Sequence, residues 1–312
     1  MFDYEKLARG GLLRLKPYQA GKPIEEVQRE LGLSEVIKLA SNENPLGMSP
    51  KALEAAQRSL PGCNFYPDAN GFYLKRKLEE KFGYAPETLT LGAGSNELIN
   101  LIFQALMGPE CNVVLPEYSF IVYPMEAQVN EAPVKVVPLK DWVTDTAGLL
   151  AAVDERTRAV VLANPSNPVG TAVSSGKLKT LLKGLPERTL LIIDEAYNEF
   201  NRDDPEFEDT ALWLKDYPNL VVSRTFSKAY GLAGLRVGYM VTNPQISSLL
   251  NRLRAPFNVN SVALAAAVAA LDDTEFLERA VHNNTVERAR YESFCAAHGL
   301  KLIPSKANFM AI

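Results

Sequence analysis

The chain is poor in the residues that build metal centres and disulfide frameworks. Cysteine occurs three times in 312 residues, at Cys63, Cys111 and Cys295, and no two form a CxxC pair. An odd, scattered set excludes a disulfide scaffold and a zinc site, and fits reduced thiols in a cytoplasmic protein. Histidine occurs twice, at His282 and His298, both in one late helical pattern. They read as ordinary helix residues, and no metal is expected. Positive charge is not in excess: 33 Lys and Arg against 37 Asp and Glu leave a net charge of −4. That balance gives no electrostatic grip on nucleic acid or anionic lipid. Long apolar runs are missing too. The longest, Val262–Leu271, is alanine-rich and far short of the roughly 20 residues that cross a bilayer. Met1–Tyr18 intersperses charged residues among its apolar ones, so no signal peptide and no membrane partner are expected.

What is present is ordinary core-forming material. The chain is 47% hydrophobic and 22% charged, enough to bury a sizeable interior, and its length suggests about two domains. Short apolar runs alternate with helical patterns. The runs are Thr88–Leu91, Asn112–Leu115, Val134–Val137, Arg158–Ala163, Leu190–Ile193, Leu220–Ser223 and Leu235–Val241. Helical patterns include Glu97–Met107 and Ser174–Gly184. Runs that do not alternate with polar residues predict strands buried on both faces. Strand–helix alternation predicts an α/β fold with a mostly parallel sheet flanked by helices. After Asn243 helical patterns dominate, at Gln245–Arg254, Val259–Leu271 and Thr274–His298, followed by short runs at Lys301–Ile303 and Asn308–Ile312. The expected division is an N-terminal arm with part of a small domain (1–39), a large domain (40–245) and a smaller α+β domain (246–312). The last run stops at Ile312 with no helix to cover it, so the small domain is expected to be incomplete.

In open parallel sheets, ligands bind beyond the carboxyl ends of the strands, so the polar residues there carry the functional signal. Gly92-Ala93-Gly94-Ser95-Asn96-Glu97 joins a strand to a helix, where backbone N–H groups can cradle a phosphate. Glu97 stands where a dinucleotide fingerprint needs a glycine, which argues against NAD. Ser95 or Asn96 also reads as a plain helix cap. Asn164–Gly170 holds two Asn-Pro pairs and a glycine, a stiff turn that would fix the Asn167 amide at the mouth of the sheet. Asp194 follows four apolar residues. Desolvation there favours its neutral form unless a cation stands nearby. Tyr197 follows on the same side if the chain turns helically, although Asp194 reads equally as a cap. Arg224–Gly231, with Arg236 beyond, gathers hydroxyls, a lysine and arginines after one strand. A ligand carrying both a phosphate and a carbonyl-type group needs such donors.

Asn164–Gly170, Asp194–Tyr197 and Ser227-Lys228 through Arg236 together resemble the signature of fold-type I aminotransferases that use pyridoxal phosphate. Leu15–Tyr18, Leu39–Gly47 and Phe65–Asp68 narrow the resemblance to the histidinol-phosphate aminotransferase family. The likeness covers essentially the whole chain. It implies pyridoxal 5'-phosphate as cofactor and transamination between histidinol phosphate and 2-oxoglutarate, giving imidazole-acetol phosphate and glutamate in histidine biosynthesis. It implies that Lys228 attaches the cofactor and moves a proton, that Asp194 pairs with the pyridine nitrogen, and that Tyr197 and Asn167 donate to the phenolic oxygen. Tyr118 would stack on the ring. Gly94, Ser95, Thr225, Ser227 and Arg236 would hold the phosphate, with Tyr66 reaching it from the other subunit of a homodimer. Tyr18 and Asn42 would contribute to substrate binding, Tyr18 from the partner.

The turn departs from the family in Ser166 and Val169, where Asn and Thr are commoner; neither carries chemistry. Members of the family continue past the run matching Asn308–Ile312 and draw substrate-gripping arginines from there, so impaired anion binding is expected of this chain. Other readings stay open: an aromatic-amino-acid aminotransferase on the same scaffold, a threonine-phosphate decarboxylase, or a non-catalytic protein that binds the same cofactor. Lys228, Asp194, Tyr197 and Arg236 together speak against the last.

Overall fold

The structure is a computed structural model that describes residues 3–19 and 21–312; Met1, Phe2 and Ala20 of the N-terminal stretch lie outside it. Seven strands form one sheet: β1 (Leu89–Gly92), β2 (Asn112–Pro116), β3 (Val134–Val137), β4 (Thr157–Ala163), β5 (Leu190–Asp194), β6 (Leu220–Thr225) and β7 (Gly238–Thr242). Their spatial order is β1-β7-β6-β5-β4-β2-β3. Strands β3, β2, β4, β5 and β6 run parallel, while β7 runs antiparallel to both β1 and β6. The mostly parallel sheet is therefore as the sequence predicts.

The helices are α1 (Gly10–Leu13), α2 (Ile24–Leu31), α3 (Pro50–Ser59), α4 (Phe72–Phe82), α5 (Ser95–Leu106), α6 (Val122–Val129), α7 (Thr146–Ala151), α8 (Ser175–Gly184), α9 (Pro244–Leu253), α10 (Ser261–Leu271) and α11 (Thr274–Ala297). They cover both faces of the sheet, and this explains the unbroken apolar runs. In β5, Leu191 and Ile193 enter one core while Leu190 and Ile192 enter the other. Successive side chains point to opposite faces, so every position must be apolar. The first core is closed by α3, α4, α8, α10 and the start of α11; the second by α5, α6 and Leu250 of α9. Truncating a fully buried residue such as Ile192 to alanine should cost about 2–5 kcal/mol. Helix α10 is apolar all round, as a buried helix must be, and packs against α3 and α4.

Most element ends shift by one or two residues from expectation, and two differences are larger. Strand β7 starts at Gly238 rather than Leu235, because Ala233–Leu235 closes a 3₁₀ turn and Arg236 takes a left-handed φ of 57°. The last two apolar runs meet only at a single antiparallel bridge, Ile303 to Ala311. Between them the Ser305 hydroxyl donates to the Phe309 carbonyl and accepts from the Ala307 N–H, which makes a side-chain-tied turn instead of a ladder. Among the described residues no helix is long and apolar enough to cross a membrane.

Candidate active site

Parallel β4, β5 and β6 deliver their carboxyl ends to one edge of the sheet, which brings the Asn164 turn, Asp194 and the Thr225–Lys228 segment together. Asp194 is the last residue of β5, in register with Ala163 of β4 and Ser223 of β6. It is buried. Its Oδ2 accepts a 2.8 Å bond from the Tyr123 hydroxyl, and its buried Oδ1 has no partner among the described residues. Burial pushes the carboxyl up to about 6; the Tyr123 bond opposes this, the neighbouring Glu195 charge adds to it, and the Ala196 N–H and Lys228 pull it back.

The Tyr197 hydroxyl is also buried, and it accepts from Asn42 Nδ2 at 3.1 Å and Asn167 Nδ2 at 3.0 Å. Two amides on the lone pairs leave its own O–H free to donate elsewhere. Burial pushes its pKa up to about 12, with the amide of Asn42 pulling down. The turn that presents Asn167 is clamped by Asn164: its Oδ1 accepts from Val173 N–H at 2.7 Å and its Nδ2 donates to the Val173 carbonyl at 3.0 Å.

Lys228 follows β6, and its Nζ donates to the Ser41 carbonyl at 2.8 Å. Nζ lies 5.8 Å from the Tyr197 ring centre. Burial pushes the ammonium pKa below its ordinary value, Glu43 and Asp194 resist, and Arg236 and Lys38 reinforce the shift.

Beside the lysine lies a cluster of donors. Gly94, at φ +82°, caps α5, and Ser95 is the first helical residue. A Cβ on Gly94 would stand 2.3 Å from Arg236 Nη2, so the bare backbone and the guanidinium share one hollow. Among the described residues, Arg236 donates to the carbonyls of Ala93 and Ala233 alone. Thr225 Oγ1 donates to Ser227 Oγ at 2.9 Å and accepts from Ser227 N–H at 3.1 Å. Glu97, which breaks the dinucleotide pattern, reaches back to the Ala93 N–H at 2.5 Å and accepts from Asn258 at 2.6 Å. It ties down the residue before the Gly94 N-cap, one position further back than a capping box reaches. Arg224 does not join this cluster. It is buried against Glu195, Asp209 and Tyr84.

The other residues singled out in the sequence divide. Asn42 is at the site, bonded to Tyr197. Tyr18 is exposed, yet close enough to Tyr197 of its own chain to raise that phenol's pKa. Tyr118 is half-exposed at φ +53° with its ring 6.0 Å from Trp142. Phe120, two residues on, stands edge-on to Tyr123 at 5.7 Å. Tyr66 is 83% exposed and stacks on Phe257 at 4.6 Å, outside the cluster. A cavity of about 450 Å³, lined by Lys38, Asn42, Glu43, Arg288, Asn308 and Phe309, adjoins the site. Phe309 is edge-on to Tyr197 at 5.2 Å, and Asn308 Nδ2 donates to the Asn42 carbonyl at 3.0 Å. Sequence reasoning placed Asn164 in the turn but gave its side chain no part, and it missed Tyr123, Asn308 and Phe309. Tyr123, Asn308 and Phe309 make their contacts only through the fold, and no local motif marks them.

The arrangement has a definite chemical demand: a bare buried carboxylate oxygen, a depressed lysine and a donor hollow fit a cationic ring, a carbonyl and a phosphate on one molecule. Comparison with known proteins agrees. The family model "Aminotransferase class I and II" matches residues 34–312. The chain belongs to the class I and II aminotransferases. It is 49% identical over 305 residues to histidinol-phosphate aminotransferase 1 of Mannheimia succiniciproducens, covering 98% of this chain and 83% of that protein. It is 47% identical over 310 residues to histidinol-phosphate aminotransferase 2 of Haemophilus influenzae, covering 99% and 84%. The crystal structure of histidinol-phosphate aminotransferase from Sinorhizobium meliloti in complex with pyridoxal-5'-phosphate superposes with a TM-score of 0.88 at 30% identity, over 96% of this chain and 80% of that one. The aspartate aminotransferase of Thermus thermophilus with maleate shares the aminotransferase fold, at a TM-score of 0.83 and 22% identity over 96% and 82%.

Proposed function

We propose that this chain is a pyridoxal-phosphate-dependent transaminase that moves an amino group between histidinol phosphate and 2-oxoglutarate, giving imidazole-acetol phosphate and glutamate in histidine biosynthesis. The observation that carries this reading is Asp194 Oδ1, a buried carboxylate oxygen without a partner among the described residues, within electrostatic reach of Lys228. An orphaned buried acceptor is costly unless a ligand completes it. The relatives at 44–49% identity are histidinol-phosphate aminotransferases, and this supports that substrate over an aromatic amino acid.

The residues fit the cofactor. Asp194 Oδ1 would accept a hydrogen bond from the protonated pyridine nitrogen, and its charge would keep that proton on the ring. The free O–H of Tyr197 and the amide of Asn167 would donate to the phenolic oxygen. The N–H groups of Gly94 and Ser95, the hydroxyls of Thr225 and Ser227 and the guanidinium of Arg236 would hold the phosphate. Tyr118 or Phe120 supplies an aromatic face. When bound, pyridoxal phosphate supplies an electron sink for the pair released as the substrate's Cα loses its proton. Lys228 Nζ would anchor the cofactor and, once released, would carry the proton from the substrate's Cα to the cofactor carbon bonded to the transferred nitrogen. Its depressed pKa keeps more of that amine in the basic, unprotonated form. Asn42 and Tyr18 lie at the substrate end. Tyr66 would reach the cofactor phosphate of a second subunit in a homodimer. The protein works in the cytoplasm, consistent with its three free cysteines.

The test is a comparison of kcat/KM for histidinol phosphate and phenylalanine, each with 2-oxoglutarate. Histidinol phosphate should be preferred. A clear preference for phenylalanine would hand the site to the aromatic aminotransferase reading.

A further inference from the structure

Tyr123 belongs to the core and not to the pocket. It sits in the first turn of α6, its side chain has no exposed surface, and Phe120 braces its ring edge-on. Its hydroxyl nevertheless meets a charge: it donates to Asp194 Oδ2, 71 residues away in sequence. A carboxylate's terminal torsion is broad and roughly two-fold. Capture of one oxygen removes that freedom and determines which oxygen remains open.

We propose that Tyr123 is the positioning residue of the cofactor site: its hydroxyl holds Asp194 so that Oδ1 alone is presented to the ring nitrogen of pyridoxal phosphate. This rests on the functional reading above. Tyr123 touches neither substrate nor cofactor and acts through Asp194. The groups facing Asp194 are Tyr123 from α6, Lys228 from the segment after β6, and Glu195 and Tyr197 on its own segment. Tyr123 and Lys228 favour the charged carboxylate; burial and Glu195 oppose it. Burial and the Asp194 charge hold the Tyr123 phenol far above its ordinary pKa, so it remains a donor throughout the working range. Tyr123→Phe therefore leaves both Asp194 oxygens bare and moves its titration upward.

A double-mutant cycle on the full chain separates this role from packing. Apoprotein is titrated with pyridoxal phosphate by equilibrium dialysis across pH 5–9 for wild type, Tyr123→Phe, Asp194→Asn and the double variant. Tyr123→Phe should weaken binding on the order of tenfold at neutral pH, as expected for losing a hydrogen bond to a charge. It should also move the acid midpoint of the affinity upward. In the Asp194→Asn background the same change should alter affinity less than about twofold. Equal losses in both backgrounds, or none in the wild-type background, overturn the proposal. Wild-type apoprotein that binds no pyridoxal phosphate overturns the functional reading itself. If Tyr123→Phe does not fold, 3-fluorotyrosine at position 123 keeps the ring and strengthens the donor. The midpoint should then move downward, and an unmoved midpoint overturns the proposal.

Discussion

The amine of Lys228 and the backbone carbonyl of Ser41 are joined by a 2.8 Å hydrogen bond across 187 residues of sequence. Ser41 and Asn42 both adopt left-handed backbone, at φ 72° and 51°, which a residue with a side chain adopts at some cost. The turn sends one backbone carbonyl to Lys228 and the next residue's amide to Tyr197. One short N-terminal segment thus touches both the lysine and the phenol of the site.

Lys228→Ala should keep the fold and bind pyridoxal phosphate non-covalently. Borohydride reduction followed by peptide mapping should label Lys228 in the wild type and nothing in the variant. Turnover should fall by roughly 10²–10⁴-fold or more, the range for losing a proton-transfer group. Normal turnover in Lys228→Ala, without added amine, would remove the lysine from the mechanism.

Asp194 makes a prediction about stability as well as binding. Its folded carboxyl is raised from 3.8 to about 6, so the folded apoprotein holds this proton more tightly than the unfolded chain. The stabilisation from protonation is complete below pH 3.8 and is lost as pH rises through about 6. Above that, the buried charge costs the apoprotein on the order of 3 kcal/mol. Asp194→Asn should therefore melt higher than wild type at pH 8, with the difference vanishing towards pH 4, while its affinity for pyridoxal phosphate falls. Apoprotein melts across this range check it. A variant less stable than wild type at pH 8 would contradict the burial cost.

Much of this arrangement is legible in the sequence because burial on both faces leaves so plain a trace. Leu190–Ile193 has no polar residue until Asp194, so the end of the strand and the site residue announce each other. The same holds for Arg158–Ala163 before the Asn164 turn. Tyr123 is not legible, since its partner lies 71 residues away and nothing in a short helix shows which phenol will meet a carboxylate. The choice between Tyr118 and Phe120 is not legible either. Both follow β2; Tyr118 adopts left-handed backbone and its ring lies 6.0 Å from Trp142, while Phe120 packs on Tyr123. Arg224 and Arg236 look alike as residues after one strand. The pairing of Arg224 with Glu195 and Asp209 is a property of the packed interior.

Gly94→Ala tests the phosphate hollow. The new Cβ would stand 2.3 Å from Arg236 Nη2, and the backbone φ of +82° disfavours any side chain. The guanidinium can swing away, so the fold should survive at a cost of about 1–3 kcal/mol. Displacing it removes a charge-assisted contact, and affinity for pyridoxal phosphate should fall roughly 10–100-fold. Equilibrium dialysis with pyridoxal and with pyridoxal phosphate separates the causes, because pyridoxal lacks the phosphate and should lose little. Equal losses for both would place the phosphate elsewhere.

Tyr66 carries the prediction about assembly. It is 83% exposed and stacks on Phe257, itself exposed, at an interplanar angle of 19°. Phe65, Phe72 and Tyr73 are also exposed large aromatics in this stretch of sequence. Large exposed apolar groups in one region mark a surface that meets another molecule. A two-fold interface would use the same patch on both copies, and would carry each Tyr66 hydroxyl towards the other subunit's Gly94–Arg236 hollow. Sedimentation velocity should show a homodimer at micromolar concentration. Tyr66→Phe should leave the dimer intact, because the stacked ring remains, but should weaken pyridoxal phosphate several-fold by removing one donor from the phosphate. Dilution that splits the dimer should release the cofactor in parallel. A protein that sediments as a monomer and still binds pyridoxal phosphate tightly, with Tyr66→Phe unchanged, would leave Tyr66 as a surface aromatic packed on Phe257 and nothing more.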